Sequence, residues 1–215
     1  MRVFKFCNLE FGRDNLKRHR LKISTLSDLN DPFEFRGFKV KGKASRLTWD
    51  RTRSSLLSNK GIICFSRDWS DPVLWSHYAD SHRGLALGFD IPDDLLVGVD
   101  YRKKRKNYGD ISSLSKNEKE ALILSSLATK YKRWEYENEV RVFVSIETKD
   151  PETKLFFKNF DEKLVLKEIV IGPLAKVSSH ELRKACGQPD IKVTTSRLAF
   201  TKYGVVSQEN PKFWK

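Results

Sequence analysis

Between Ile62 and Asp90 the chain spells a strand, a short helix and a second strand, and this unit limits the available folds more than any other stretch. Ile62-Ile63-Cys64-Phe65-Ser66 and Leu85-Ala86-Leu87-Gly88-Phe89-Asp90 are β-branched or apolar runs, each stopped by a turn residue. Between them Asp71 suits a helix N-cap, and Pro72 suits the first helical position, where its missing N–H would have no partner anyway. Gly84 is predicted to take φ > 0 and release the chain into the second strand. Ser66, Trp75, His77, Tyr78, His82 and Arg83 make the unit richer in polar and aromatic groups than a core requires. Trp75 and Tyr78 lie three apart on one helical face and admit two readings, core packing or the wall of a cleft.

Around this unit the expected elements are short. Val3–Phe6 reads as a strand, Glu10–Lys17 as a helix and Leu21–Ile23 as a strand. Ser24 to Glu34 is a loop by its Ser, Asp, Asn and Pro content, pinned by Leu26, Leu29 and Phe33, with Asn30 free to face a cleft and Asp31 forming an Asx turn. Ser45 is expected to cap a helix that runs to Leu57 and is closed by Lys60-Gly61, and Val99–Tyr101 reads as a strand. Ser115-Lys116-Asn117-Glu118 is a capping box, followed by Ala121, Leu124, Ala128 and Tyr131 at helical spacing, with an end expected near Lys132-Arg133. Ser178 or Ser179 should cap a helix that Gly187 ends. Leu164–Leu166, Ile169–Ile171, Ile191–Val193 and Leu198–Tyr203 complete the strands.

From Glu139 the sequence alternates. Val140, Val142 and Val144 share one strand face; Glu139, Arg141 and Phe143 share the other. A carboxylate and an arginine two apart on one face form a placed pair, or else a strand-edge ion pair of little energetic consequence. Glu135 and Glu137 precede this strand on a turn and are second choices for a functional carboxylate. The sum is an α+β chain of 215 residues read as a single domain, residues 1–215, with central mixed or antiparallel sheets and a few helices.

Charge adds a partner. The net charge is +13, and from Arg36 to Lys60 eight basic residues, Arg51 and Arg53 among them, face a single acid, Asp50. A second cluster, Arg102-Lys103-Lys104-Arg105-Lys106, lies between Tyr101 and Tyr108 in an expected exposed loop. Such stretches favour a polyanion, nucleic acid first, although a solvated surface has the same composition. Cys7, Cys64 and Cys186 are too few and too scattered for a disulfide framework, no run is apolar enough to span a membrane, and no secretory leader is evident, so a cytoplasmic location is expected. P-loop, dinucleotide-binding and nucleophile-elbow motifs are missing. His77 and His82 sit five apart, on different helical faces, so no metal site is expected, while His77 remains an acid–base candidate.

Three phrases together are familiar: TLSDLNDPFE, ICFSRDWSDPVLWSHYADSHRGLALGFD, and YENEVRVF followed by EIVIGP. Across residues 3 to 175 they resemble a bacterial family defined only as a domain of unknown function, from which the chain departs at Lys5-Phe6-Cys7. More distantly, the order of parts resembles the ADP-ribosyltransferase fold, including toxins that modify nucleic acids. That resemblance implies roles for Lys5, Ser66, Tyr78 and Glu139. It also implies NAD as the cosubstrate, with Trp75 or Tyr78 stacking on nicotinamide, Arg83 gripping the pyrophosphate, and Asn30 nearby. It implies a toxin or phage-defence effector, whose partners would be nucleic acid, held by Arg51, Arg53, Lys103, Lys104 and Arg105, and an antitoxin. Two other classes stay open: a nucleic-acid-binding module without catalysis, and a nuclease using His77 or His82 with Arg83.

Overall fold

Alternation in the strands and side-chain caps on the helices set most of the local structure. The computed structural model describes residues 1–25, 28–31, 33–34, 36–107 and 113–214, with the backbone alone at 56 and 57. In chain order it contains β1 (Arg2–Cys7), α1 (Leu9–Arg18), β2 (Arg20–Ile23), β3 (Phe38–Lys39), α2 (Lys43–Leu57), β4 (Lys60–Ser66), α3 (Pro72–Tyr78) and β5 (Leu85–Asp90). There follow β6 (Val97–Gly98), β7 (Asp100–Arg102), β8 (Lys106–Asn107), α4 (Lys116–Leu127), β9 (Thr129–Tyr131), a 3₁₀ turn (Lys132–Glu137) and β10 (Glu139–Ser145). β11 (Phe156–Asn159), β12 (Val165–Ile171), α5 (Ser179–Cys186), β13 (Lys192–Leu198) and β14 (Val205–Ser207) complete the chain.

The architecture is α+β. Eight strands form one mixed sheet in the order β14-β13-β12-β5-β1-β4-β10-β6, in which β12 and β13 run parallel and the other pairs antiparallel. One face carries Val3, Leu87, Phe89, Val140 and Ile169 and packs on α1 and α5 through Leu16 and Leu182. The other face supports two smaller clusters, one around Phe6, Leu74 and Trp75 and one around Trp49, Ile62 and Leu122.

The expected helix starts hold where side-chain caps were written into the sequence. Asp71 Oδ1 accepts from the N–H of Val73, and both capping boxes, Ser115 with Glu118 and Ser178 with Glu181, are complete. Four expectations change. α2 begins at Lys43 with Gly42 at its cap, Ser45 is buried, and Lys60-Gly61 belong to β4. α4 stops at Leu127 because β7 captures residues 129–131 as a parallel neighbour; it buries Leu122, Ile123, Ser126 and Leu127, leaving Leu124 exposed. Of the expected strand Leu198–Tyr203 only Leu198 is strand, at the end of β13; the residues after it form the tip of a hairpin, with Phe200 and Tyr203 pointing into solvent. Phe33 does not pin its loop; it is exposed with the Arg105 guanidinium 5.2 Å above its ring. Leu26 and the expected loop at 108–110 lie outside the described residues.

The turn after α3 also differs from expectation. Asp80, Ser81 and His82 take the positive φ values, at 47°, 50° and 70°, and Gly84 does not. Gly84 is required for a different reason: a Cβ there would sit 2.0 Å from the backbone oxygen of Cys7. Gly84→Ala is therefore expected to cost about 3 kcal/mol, read as a drop in the urea midpoint with an unchanged m-value.

Candidate functional site

The sheet is incompletely closed in its middle. β4 pairs with β10 from Ser66 to Lys60, yet β1 meets β4 only at Phe4 opposite Ser66. Beyond that point Ser24, following β2, bonds Ile62 in both directions at 2.9 Å. The gap between β1 and β4 is bridged by Lys5, whose Nζ donates to the Cys64 carbonyl at 3.2 Å. Over this split lies a cavity of about 230 Å³. Phe4, Phe6, Phe65 and Leu74 give it apolar walls; Lys5, Asn30, Ser66, Tyr78, Lys130, Glu137 and Glu139 supply the polar groups.

Register explains part of this assembly. Phe4, Ser66 and Glu139 are opposite one another across β1, β4 and β10, so their side chains share one face. α3 adds Tyr78 from the side. Trp75, three residues earlier, turns fully into the core, edge-on to Phe6 at 5.1 Å, with Nε1 donating to the Trp69 carbonyl at 2.6 Å. It cannot stack on a ligand, and that expectation is corrected. Nor does Arg83 line the cavity: it is exposed, and its Nη1 approaches the Ser81 carbonyl at 3.5 Å. His77 is likewise exposed, its Nδ1 3.0 Å from the Tyr136 hydroxyl.

Behind the cavity sits a buried cluster of charges. Arg141 donates from Nε to Glu139 at 2.8 Å, from Nη2 to both oxygens of Glu34 at 2.8 and 3.0 Å, and from Nη1 to the Leu127 carbonyl at 2.7 Å. Lys130 reaches Glu137 at 2.5 Å, and Glu34 and Glu139 at 3.2 Å each. The Tyr78 hydroxyl donates to Glu137 Oε1 at 2.5 Å and accepts from Asn30 Nδ2 at 2.8 Å. The Tyr101 hydroxyl receives the N–H of Glu139 at 2.8 Å, fixing the start of β10. The Glu139–Arg141 pair is thus a core element, not a strand-edge contact. Three carboxylates face two cations, so the fully ionised cluster is one charge negative.

Its two neighbouring carboxylates differ. Burial pushes both upward. At Glu139 the Arg141 guanidinium and the Lys130 ammonium overcome burial and bring the carboxyl down to about 2. At Glu137 burial prevails over Lys130 and the Tyr78 bond, and the carboxyl rises above its ordinary range. Tyr78 is raised by burial and then by the Glu137 charge, so it stays a phenol donor at neutral pH. Adjacent carboxylates driven apart in this way are suited to separate acid–base and charge-stabilising roles.

Lys5, Asn30, Ser66, Tyr78 and Glu139, named from the sequence, line this one cavity, while His77, Trp75, Arg83, Arg51 and Arg53 do not. Sequence reasoning ranked Glu137 second and missed Glu34 and Lys130. The one local sign of Glu137 was Asn138 beside it, a residue that tolerates the left-handed conformation it adopts (φ 44°) at the end of the 3₁₀ turn. Tyr78→Phe is expected to cost about 1 kcal/mol, for two hydrogen bonds at a cavity wall, in a thermal melt.

No helix among the described residues is long and apolar enough to cross a membrane. Comparison with curated proteins and with solved structures gives no match to the chain. Residues 74–142, about a third of the chain, match a family described as Protein of unknown function (DUF2971), a span that takes in Tyr78, Lys130, Glu137, Glu139 and Arg141 and leaves Lys5, Glu34 and Ser66 outside.

Proposed function

We propose that this cavity cleaves the nicotinamide–ribose bond of NAD and passes ADP-ribose to an acceptor, an ADP-ribosyltransferase-like reaction on a fold of that type. The observation that carries the reading is the convergence of Lys5, Ser66, Tyr78 and Glu139, from β1, β4, α3 and β10, on one cavity backed by a net-negative cluster. Cleavage passes through an oxocarbenium-like state, and a preorganised negative site stabilises that positive charge. Glu139 is held ionised for this task. Phe4, Phe6 and Tyr78 offer aromatic surface to the nicotinamide end, which the cavity size suits; the rest of the dinucleotide lies in the open mouth. Nicotinamide leaves with the electrons of the C–N bond. The acceptor atom bonds to the ribose carbon and gives up its proton to Glu137.

The test is incubation of purified protein with adenylate-labelled NAD and mixed RNA, DNA and protein acceptors. Release of nicotinamide and label on nucleic acid is the expected result. If nothing is released or labelled and NAD does not bind, the reading falls. A nucleic-acid-binding module without catalysis is the second reading, favoured by a separate basic cavity.

A further inference from the structure

That second cavity, about 270 Å³, draws cations from two distant parts of the chain, Arg36 and the Arg102–Arg105 run; Lys130 of β9 lines it too, with its ammonium turned to Glu34, Glu137 and Glu139. Phe33 and Tyr131 line it too, both exposed, and none of its described lining residues is acidic. A solvated basic run would spread its like charges apart. Here Arg36 is brought to the 102–105 run from a distant part of the sequence; Asp100 offsets Arg102 at 2.7 Å, and an anion seated in the cavity would relieve the repulsion among the other cations. Arg105 already stacks over Phe33. Two exposed aromatic rings, one already under a guanidinium, set among cationic side chains match the two needs of a single strand, phosphate neutralisation and base stacking. A lipid surface or an acidic peptide would use the charge and leave the aromatic faces idle, and a concave site of this size takes an unstacked nucleotide better than a duplex.

Lys130 also belongs to the wall of the first cavity, and close in sequence Asn30 and Glu34 line the first cavity while Phe33 and Arg36 line the second. We propose that the second cavity is a phosphate-and-base subsite for single-stranded nucleic acid. A strand seated there presents its neighbouring nucleotide to the first cavity as the acceptor. The second half of this statement rests on the NAD reading; the first does not.

The experiment is fluorescence anisotropy with labelled single-stranded RNA and DNA of about 12 nucleotides, without NAD. The same strands as duplexes, phosphatidylserine vesicles and polyglutamate serve as comparisons. The triple variant Arg36→Gln, Lys103→Gln, Arg105→Gln is expected to weaken single-strand binding roughly tenfold and to flatten the salt slope by about two. Phe33→Ala should weaken it severalfold at an unchanged slope, the mark of lost stacking rather than lost charge. Lys176→Gln with Lys184→Gln, exposed and outside the cavity, should change affinity less than about twofold. All the altered side chains are exposed, so the melting temperature is expected to hold. The proposal is overturned if the control pair weakens binding as much as the triple variant, if Phe33→Ala has no effect, or if duplex, vesicles or polyglutamate bind as tightly as single strands. Failure of NAD cleavage leaves this binding result standing. Failure of binding in a protein that still releases nicotinamide removes the subsite and leaves the NAD reading intact.

Discussion

Replacing Arg141 by leucine lowers the unfolding free energy by about 3–5 kcal/mol, the expected cost of breaking a buried ion pair by removing one partner. Arg141 is fully buried and bonds two carboxylates and a backbone carbonyl. Leucine fills part of the space but leaves Glu34, Glu137 and Glu139 sharing Lys130. Urea denaturation followed by far-ultraviolet circular dichroism measures the change. A second variant separates lost packing from stranded charge: Arg141→Leu with Glu139→Leu should recover part of the loss, because Lys130 then faces two carboxylates, Glu34 and Glu137, instead of three. A single-variant cost below about 1 kcal/mol would mean that the cluster is solvated and carries surface-pair energies only.

Glu137→Gln should reduce nicotinamide release by about 10²–10⁴-fold, the usual contribution of a positioned proton acceptor. It should also erase one limb of the pH–rate profile. Glu137 accepts a proton only when ionised, so the wild-type rate rises with pH through its raised value, and glutamine has no such limb. Glu139→Gln should abolish release as well, by a different route and at a cost to folding. Its carboxylate receives Arg141 and Lys130, and an amide nitrogen would face those cations. The sign of the stability effect follows from the direction of each shift. Glu139, depressed to about 2, contributes stability that is present above the ordinary carboxylate range and lost as pH falls toward 2. The deficit of Glu139→Gln is therefore largest at neutral pH and shrinks in acid. Glu137, raised, has the opposite sign: ionising it in the folded protein costs stability as pH rises from the ordinary range through its folded value. Urea midpoints at neutral and acid pH, beside the nicotinamide assay, distinguish the two roles. Equal pH–rate profiles for wild type and Glu137→Gln would remove Glu137 from the chemistry.

The features legible in the sequence were those whose causes lie within a few residues. Asp71 and Pro72 start α3 because an N-cap needs only the next three amides, and the boxes at Ser115 and Ser178 work in the same way. Alternation from Glu139 assigned Val140 and Arg141 to opposite faces because a strand has period two. The order of Lys5, Ser66, Tyr78 and Glu139 along the chain was visible too; their meeting in one cavity was not. Tertiary structure decided what depends on partners far away. Trp75 and Tyr78 share a helical face, yet packing against Phe6 buries the first and leaves the second at the cavity. Arg141 and Glu34 are 107 residues apart, and nothing near either one announces the other. Glu137 read as a turn residue because its burial comes from Lys130 and Tyr78, held on separate elements. Long-range electrostatics is written in the folded geometry: a charge has no sequence neighbours to specify its partner, whereas a cap or a strand face does.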